Sequence, residues 1–280
     1  MKFKNILNNV FFLIFLVVVT IIWFFPPFLM FLNSLKTYEE IYNPRFLLPP
    51  KPTLINYLPY PLGVADPLYF IWIFNSTIIG FGTALISVGA SLPAAYAVSR
   101  MQFKLKTFFS KSVLLMYLFP SSFLFIGYMK LIGGLGLYNN PLIIALIDSA
   151  IASPYCMWLL GGYLTVAAPK EIEEAAYIDG CNRFQVLLKI IFPIMIPGII
   201  AALMYAFVIG WDEYLYALLF LNEKNTWNLN IGMSNLVIGD YAPWNQLFAL
   251  ATINVIPPTV LFMIIQNRIV MGLAAGATKL

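Results

Sequence analysis

Six apolar stretches, at about 10–32, 69–98, 112–131, 141–166, 195–221 and 246–267, dominate this chain. An α-helix rises 1.5 Å per residue, so about 20 residues cross a hydrocarbon core of about 30 Å, and each stretch meets that length. A soluble core of 280 residues has no use for so much apolar sequence. Charged residues make up only 10% of the chain, against about 25% in ordinary soluble domains, and the mean hydropathy is +0.85. The expected fold is all-α and membrane-embedded: one domain over residues 1–280 with six transmembrane helices and short connections.

The basic residues give the spans a direction. Lys36, Arg45, Lys51, Lys130 and Lys224 fall on one side, and the other eleven of the 16 Lys and Arg fall on the opposite side. The positive-inside bias makes the richer side cytoplasmic, so both termini are expected there, as an even number of spans requires. Lys2 and Lys4 precede an apolar run from Val10 to Met30 that exceeds the 7–15 residues of a signal-peptide core and is followed by no small-residue cleavage site, so it reads as a retained first span. Pro26, Pro27, Pro93, Pro120, Pro154, Pro257 and Pro258 lie within the runs, where neighbouring helices can satisfy the backbone groups they free. Residues 33–68 form an external loop whose seven prolines between 44 and 67 should keep it extended. A second external loop, 222–245, carries Trp227, Tyr241 and Trp244, rings suited to a membrane interface.

Several chemistries are excluded or disfavoured. The chain has no His, which removes the commonest metal ligand and proton relay, and no metal site is expected. Cys156 sits in an apolar run and Cys181 in a charged loop, so no disulfide is expected. No glycine-rich loop leads into Lys-Ser or Lys-Thr, so the chain should not bind ATP. Gly133-Gly134 reads as a turn and Gly161-Gly162 as a point of close packing.

Residues 169–193 interrupt the apolar pattern. Pro169 suits a helix start, Glu171, Glu173 and Glu174 complement its positive end, and Gly180 is placed to terminate it. A second helix from Asn182 to Ile191 would put Phe184, Leu187, Leu188 and Ile191 on one face, with Pro193 and Pro197 opening the fifth span. Such a helix–turn–helix could rest on lipid headgroups or dock on a soluble protein. Acidic residues in its first turn favour the protein, because anionic lipid repels them.

Within this loop, Glu174-Ala175-Ala176, three residues, Gly180, nine residues, then Ile190-x-Phe192-Pro193 resembles the EAA motif of ABC importer permeases, with Phe192 where that family usually has Leu. Pro52-Thr53, Asn56-Tyr57, Asn75-Ser76, Ala94-Ala95-Tyr96-Ala97 with Arg100, Trp158-Leu159-Leu160 and Trp211-Asp212-Glu213-Tyr214 are similar to segments of the carbohydrate permeases, in the same order. The tail Gly272-Leu273-x2-Gly276-Ala277-x-Lys279 resembles the end of the smaller subunit of maltose-type importers. The resemblance implies a type I importer permease whose loop forms a coupling helix. Glu171, Glu174, Ala175, Ala176, Asp179, Gly180, Ile190 and Pro193 would contact an ATPase subunit, and Gly272, Gly276 and Lys279 would reach between two such subunits. It also implies a second permease, two ATPase copies that bind ATP and Mg, an extracellular sugar-binding protein, a place in the cell membrane, and no nucleic acid. Small sugars such as glucose are the nearest likeness, archaeal importers among them. A permease for peptide or phosphate would share the EAA motif without the tail. A secondary carrier would show internal repeats, which this chain lacks, and an enzyme would need clustered catalytic groups.

Polar groups inside the runs are candidates for a transport path: Asn75, Asp148, Asp212 and Glu213, with Trp211 and Tyr214 as flat partners for a sugar ring. Asp148 lies seven residues past Pro141, about 10 Å into its span, and is expected to reach water by snorkelling. Asp212 lies about 28 Å along its span if the helix starts at Pro193 and about 21 Å if it starts at Gly198, so surface and interior both stay open.

Overall fold

The computed structural model describes residues 2–43, 45 and 47–277, with side chains at 10–43, 45, 47–113 and 115–266. The helices are α1 (Lys2–Ser34), α2 (Tyr38–Ile41), α3 (Tyr69–Arg100), α4 (Lys106–Leu118), α5 (Phe125–Leu135) and α6 (Pro141–Ala167). They continue as α7 (Lys170–Ile178), α8 (Arg183–Val186), α9 (Phe192–Trp211), α10 (Leu215–Phe220), α11 (Leu229–Ser234) and α12 (Trp244–Ala277). Among the described residues there is no strand, only two isolated bridges. Five helices are long and apolar enough to cross a membrane, and α4 with α5 makes a sixth crossing if that bent pair is one span.

The third span departs from expectation. Pro26, Pro27, Pro93, Pro154, Pro257 and Pro258 stay inside helices, whereas Pro120 breaks one. Proline pushes the residue before it out of the α region, and Phe119 is extended with φ −80° and ψ 127°. The segments on either side meet at 97°. The break leaves polar backbone groups without helical partners, and the Tyr216 hydroxyl donates to one of them, the Ser121 carbonyl, at 2.7 Å. Gly133 and Gly134 lie within α5; the left-handed turn is made instead by Gly136, at φ 65°.

The chain divides into two compact units, Met1–Tyr69 with Met233–Ile256, and Phe70–Gly232 with Pro257–Leu280. In the first, the proline-rich loop is not a free surface strand. Fully buried Asn56 donates from Nδ2 to the carbonyls of Ser34 and Lys36 (both 2.7 Å), and Asn245 Nδ2 donates to its Oδ1 at 2.7 Å. One amide thus supplies three bonds where prolines cannot build a ladder. The apolar side chains of α1 from Val10 to Phe25 are exposed on this chain, half-buried Val19 excepted, as a helix facing lipid requires.

In the second unit, α3 and α6 are held in register by hydroxyls. Thr83, Ser87 and Ser91 donate to the carbonyls of Ala145, Ser149 and Ser153 at 3.4, 3.3 and 3.0 Å. Residues four apart on α3 meet residues four apart on α6, so one face of each helix stays aligned for two turns. α9 packs on the same group through Ala202, Ala206 and Gly210, all buried. A Cβ on Gly210 would lie 2.5 Å from Thr83 Oγ1 and 2.9 Å from the Ile79 carbonyl oxygen, and backbone cannot move aside cheaply. Gly210→Ala should therefore cost about 1–3 kcal/mol and lower the thermal unfolding midpoint in detergent. Gly89→Ala, whose Cβ would meet nothing within 4 Å, should not lower it; equal midpoints for the two variants would contradict this packing.

Candidate functional site

α7 is built as its sequence suggests. Pro169, extended at φ −55° and ψ 148°, precedes the first turn, and Glu171 and Glu173 lie in that turn, where the helix dipole favours acids. Its end is a Schellman turn: Gly180 N–H donates to the Tyr177 carbonyl at 3.1 Å and Cys181 N–H to the Ala176 carbonyl at 3.0 Å. Gly180 sits at φ 86°, a conformation that side chains with a Cβ adopt at a cost.

The motif residues divide between two faces. Glu171, Glu174, Ala175, Asp179 and Gly180 are exposed, whereas Ala176 is buried. Beside the exposed acids stand uncovered apolar side chains, Ile172, Phe184 and above all Ile178, which is 87% exposed. Ile190 is half-buried against the α6–α9 core, and Pro193 is exposed in the first turn of α9.

The second half of the loop is not a separate helix, contrary to expectation. α8 begins at a capping box between Asn182 and Gln185 and passes through a π turn at Leu187–Ile191 directly into α9. The proline ring of residue 193 would crowd the carbonyl four residues back in a regular helix, and a π turn widens the helix just before it. Arg183–Trp211 consequently forms one helix of 29 residues, about 43 Å long.

Reading the sequence missed Glu173 as a site residue. It is 4% exposed and points inward, with Oε1 2.5 Å from Arg100 Nε and Oε2 accepting from the Tyr96 hydroxyl at 3.2 Å. Arg100 Nη2 also donates to the carbonyls of Leu164, at 3.4 Å, and Ala168. These carbonyls lie at the end of α6, where Leu164 also accepts from the Ala168 N–H at 3.2 Å. The signal available beforehand was spacing: Glu173 shares a face with Ala176 and Tyr177, and Tyr96 with Arg100 ends the second span.

The transport-path candidates separate more sharply. Asn75 is buried and clamps the segment between α10 and α11, donating from Nδ2 to the carbonyls of Asn225 (3.0 Å) and Trp227 (2.9 Å). Trp211 is 1% exposed and stacks on Phe207 with centroids 5.6 Å apart, so its ring is spent on packing. Asp148 does not snorkel: it is fully buried, and its acidic neighbour is Glu213. Ten ångströms into α6 the flanking helices close over a side chain too short to reach past them.

Glu213 Oε1 accepts from the N–H groups of Tyr216 (2.5 Å) and Ala217 (3.4 Å), capping α10, while Asn228 and Asn230 donate to its carbonyl at 2.5 and 3.2 Å. It therefore fastens the break after α9. Asp212 and Tyr214 remain exposed, and Asp212 stands at the end of the long helix, not in its middle. Gly272 and Gly276 lie near the end of α12, and Lys279 falls outside the described residues.

Known proteins agree with this architecture. The family model of the binding-protein-dependent transport system inner membrane component matches residues 87–274. The trehalose/maltose transport system permease protein MalG of Thermococcus litoralis is 32% identical over 99% of both chains. The sulfoquinovosyl glycerol transport system permease protein SmoH of Agrobacterium fabrum is 31% identical over 91% of this chain and 88% of its own. In fold, a chain of a bacterial ABC transporter involved in import of the acidic polysaccharide alginate superposes with a TM-score of 0.75 at 19% identity, covering 94% of this chain and 97% of that one. With its apolar helices, its charged loop and a family match over more than half its length, this chain belongs to the binding-protein-dependent transport system inner membrane components, as a multi-pass membrane protein.

Proposed function

We propose that this chain is the smaller permease subunit of an ATP-driven sugar importer, forming half of the path and drawing its power through the loop at 169–193. The observation that carries this reading is similarity along the whole chain to permeases named for sugars, among them trehalose/maltose and sulfoquinovosyl glycerol. Those substrates differ from one another and neither is glucose, so no single sugar is assigned. The partners on this reading are a second permease, two copies of an ATPase holding ATP and Mg, and an external sugar-binding protein. The Lys and Arg distribution supports cytoplasmic termini and a cytoplasmic α7.

α7 suits an ATPase groove better than a headgroup layer. It pairs exposed acids, Glu171 and Glu174, with exposed Ile172 and Ile178 on one short helix. Anionic lipid repels the acids, whereas a protein groove can match both kinds of side chain. On the external side, Asp212 and Tyr214 are the candidates left exposed; a carboxylate accepts from sugar hydroxyls and a ring covers an apolar sugar face.

Two outcomes follow for the assembled importer in proteoliposomes. Gly180→Val places a β-branched residue at φ 86°, costing about 1–2 kcal/mol, and uptake per ATP should fall roughly tenfold while the spans still insert. Gly180→Asn should retain most uptake, and wild-type uptake by the Val variant would contradict the coupling role. Asp212→Asn should raise the apparent KM for the transported sugar roughly tenfold through loss of a charged acceptor. Unchanged kinetics for every sugar tested would remove Asp212 from the path.

A further inference from the structure

The structure assigns Arg100 and Glu173 as positioning residues of energy coupling: the largely buried pair ties α7 to the cytoplasmic ends of α3 and α6, so that a displacement of α7 moves both spans. The inference rests on the reading that α7 docks on an ATPase, and it concerns the face of α7 turned away from that partner.

Three features of the site support it. First, the pair is largely shielded from solvent: the side chains of Arg100 and Glu173 are 9% and 6% exposed. A buried ion pair adds little net stability, yet removing one member strands the other, so such a pair fixes geometry more than it adds energy. Second, one guanidinium joins three elements. It stands at the end of α3, bonds Glu173 of α7, and donates to the carbonyls of Leu164 and Ala168 at the end of α6. A guanidinium presents its donors in a rigid planar fork, which holds the three in a fixed relation as an ammonium on a flexible stem would not. Tyr96 adds a second link from α3, since its hydroxyl bonds Glu173 at 3.2 Å and lies 3.3 Å from the Tyr177 hydroxyl, also on α7.

Third, the connection continues inward. The hydroxyl ladder from Thr83 to Ser91 keeps α3 and α6 in register well above the brace. A push on α7 therefore meets two spans already fastened to each other. Apart from the brace, α7 is joined to α6 by the chain at Ala168 and Pro169 and by the packing of buried Ala176 in one core with Leu164 and Ala168, contacts that carry no directional bond. The exposed face of α7 sets which partner is bound; the buried face sets how much of that partner's motion arrives.

The test compares ATP hydrolysis with sugar uptake in proteoliposomes holding the complete importer and its binding protein. Arg100→Gln and Glu173→Gln should leave hydrolysis within about twofold and lower uptake per ATP roughly tenfold. Because each single variant strands polar groups, a third, Arg100→Met with Glu173→Leu, replaces the pair by apolar groups of similar size. Its thermal midpoint should return to the wild-type value while its uptake per ATP stays low. If uptake per ATP recovers together with the midpoint, or if the single variants keep the wild-type ratio, the pair is merely structural and the inference is overturned. A wild-type chain that never co-purifies with an ATPase would instead overturn the docking reading itself.

Discussion

Backbone amides and carbonyls inside hydrocarbon have no water to bond, and this constraint shapes nearly every feature described above. It turns the apolar runs into helices and lets proline stay where the surrounding helix tolerates a missing bond. Where Pro120 does break the chain, a freed carbonyl at Ser121 is met by Tyr216. Where α9 gives way to α10, the first amides of α10, which lack helical acceptors, are met by the Glu213 carboxylate, and Asn228 and Asn230 meet its carbonyl. Polar residues in the spans are thus largely occupied with backbone, as the hydroxyls of Thr83, Ser87 and Ser91 are.

The same logic separates structural from functional polar groups. Asn75 is an amide in an apolar run, and it is consumed by two carbonyls of the segment between α10 and α11. Asp148 is the exception, a fully buried acid next to a second acid. At 169–193 the chain leaves exposed acids and exposed large apolar side chains, Ile178 above all, together on one short helix. A surface of that kind needs a partner of matching shape, and the family to which the chain belongs supplies the class of system in which to seek it.

Much of this was legible in the sequence, for identifiable reasons. Span positions follow from length against bilayer thickness, which tolerates errors of a few residues. The turn at Gly180 follows from the cost of a Cβ at positive φ, a local property. What the sequence withheld depended on contacts between distant segments. Spacing puts Glu173 on one face with Ala176 and Tyr177, but that this face, rather than the one with Glu171 or Glu174, turns inward to Arg100 is decided where α3 and α6 end. The run around Pro120 likewise does not reveal that this proline breaks its helix while Pro93 and Pro154 do not. The second loop helix was misjudged because Pro193 was read as a helix start, when a π turn carries the helix through it. Trp211 and Asp148 were misplaced for the same reason: burial is a property of the packed helices, not of the segment.

The central claim is that the outward face of α7 is covered by a soluble ATPase and the inward face by the chain itself. Single cysteines placed at Glu174, Ala175 and Ile178, and one at Glu173 for comparison, can be probed in membranes with a thiol reagent too polar to cross the bilayer. Cys181, half-buried nearby, is first replaced by Ser. The account predicts that the three outward positions react freely in membranes holding the permease alone and are protected when the ATPase is added, with position 173 slow in both. Equal labelling of the outward positions with and without the ATPase, or their protection by lipid alone, would contradict it.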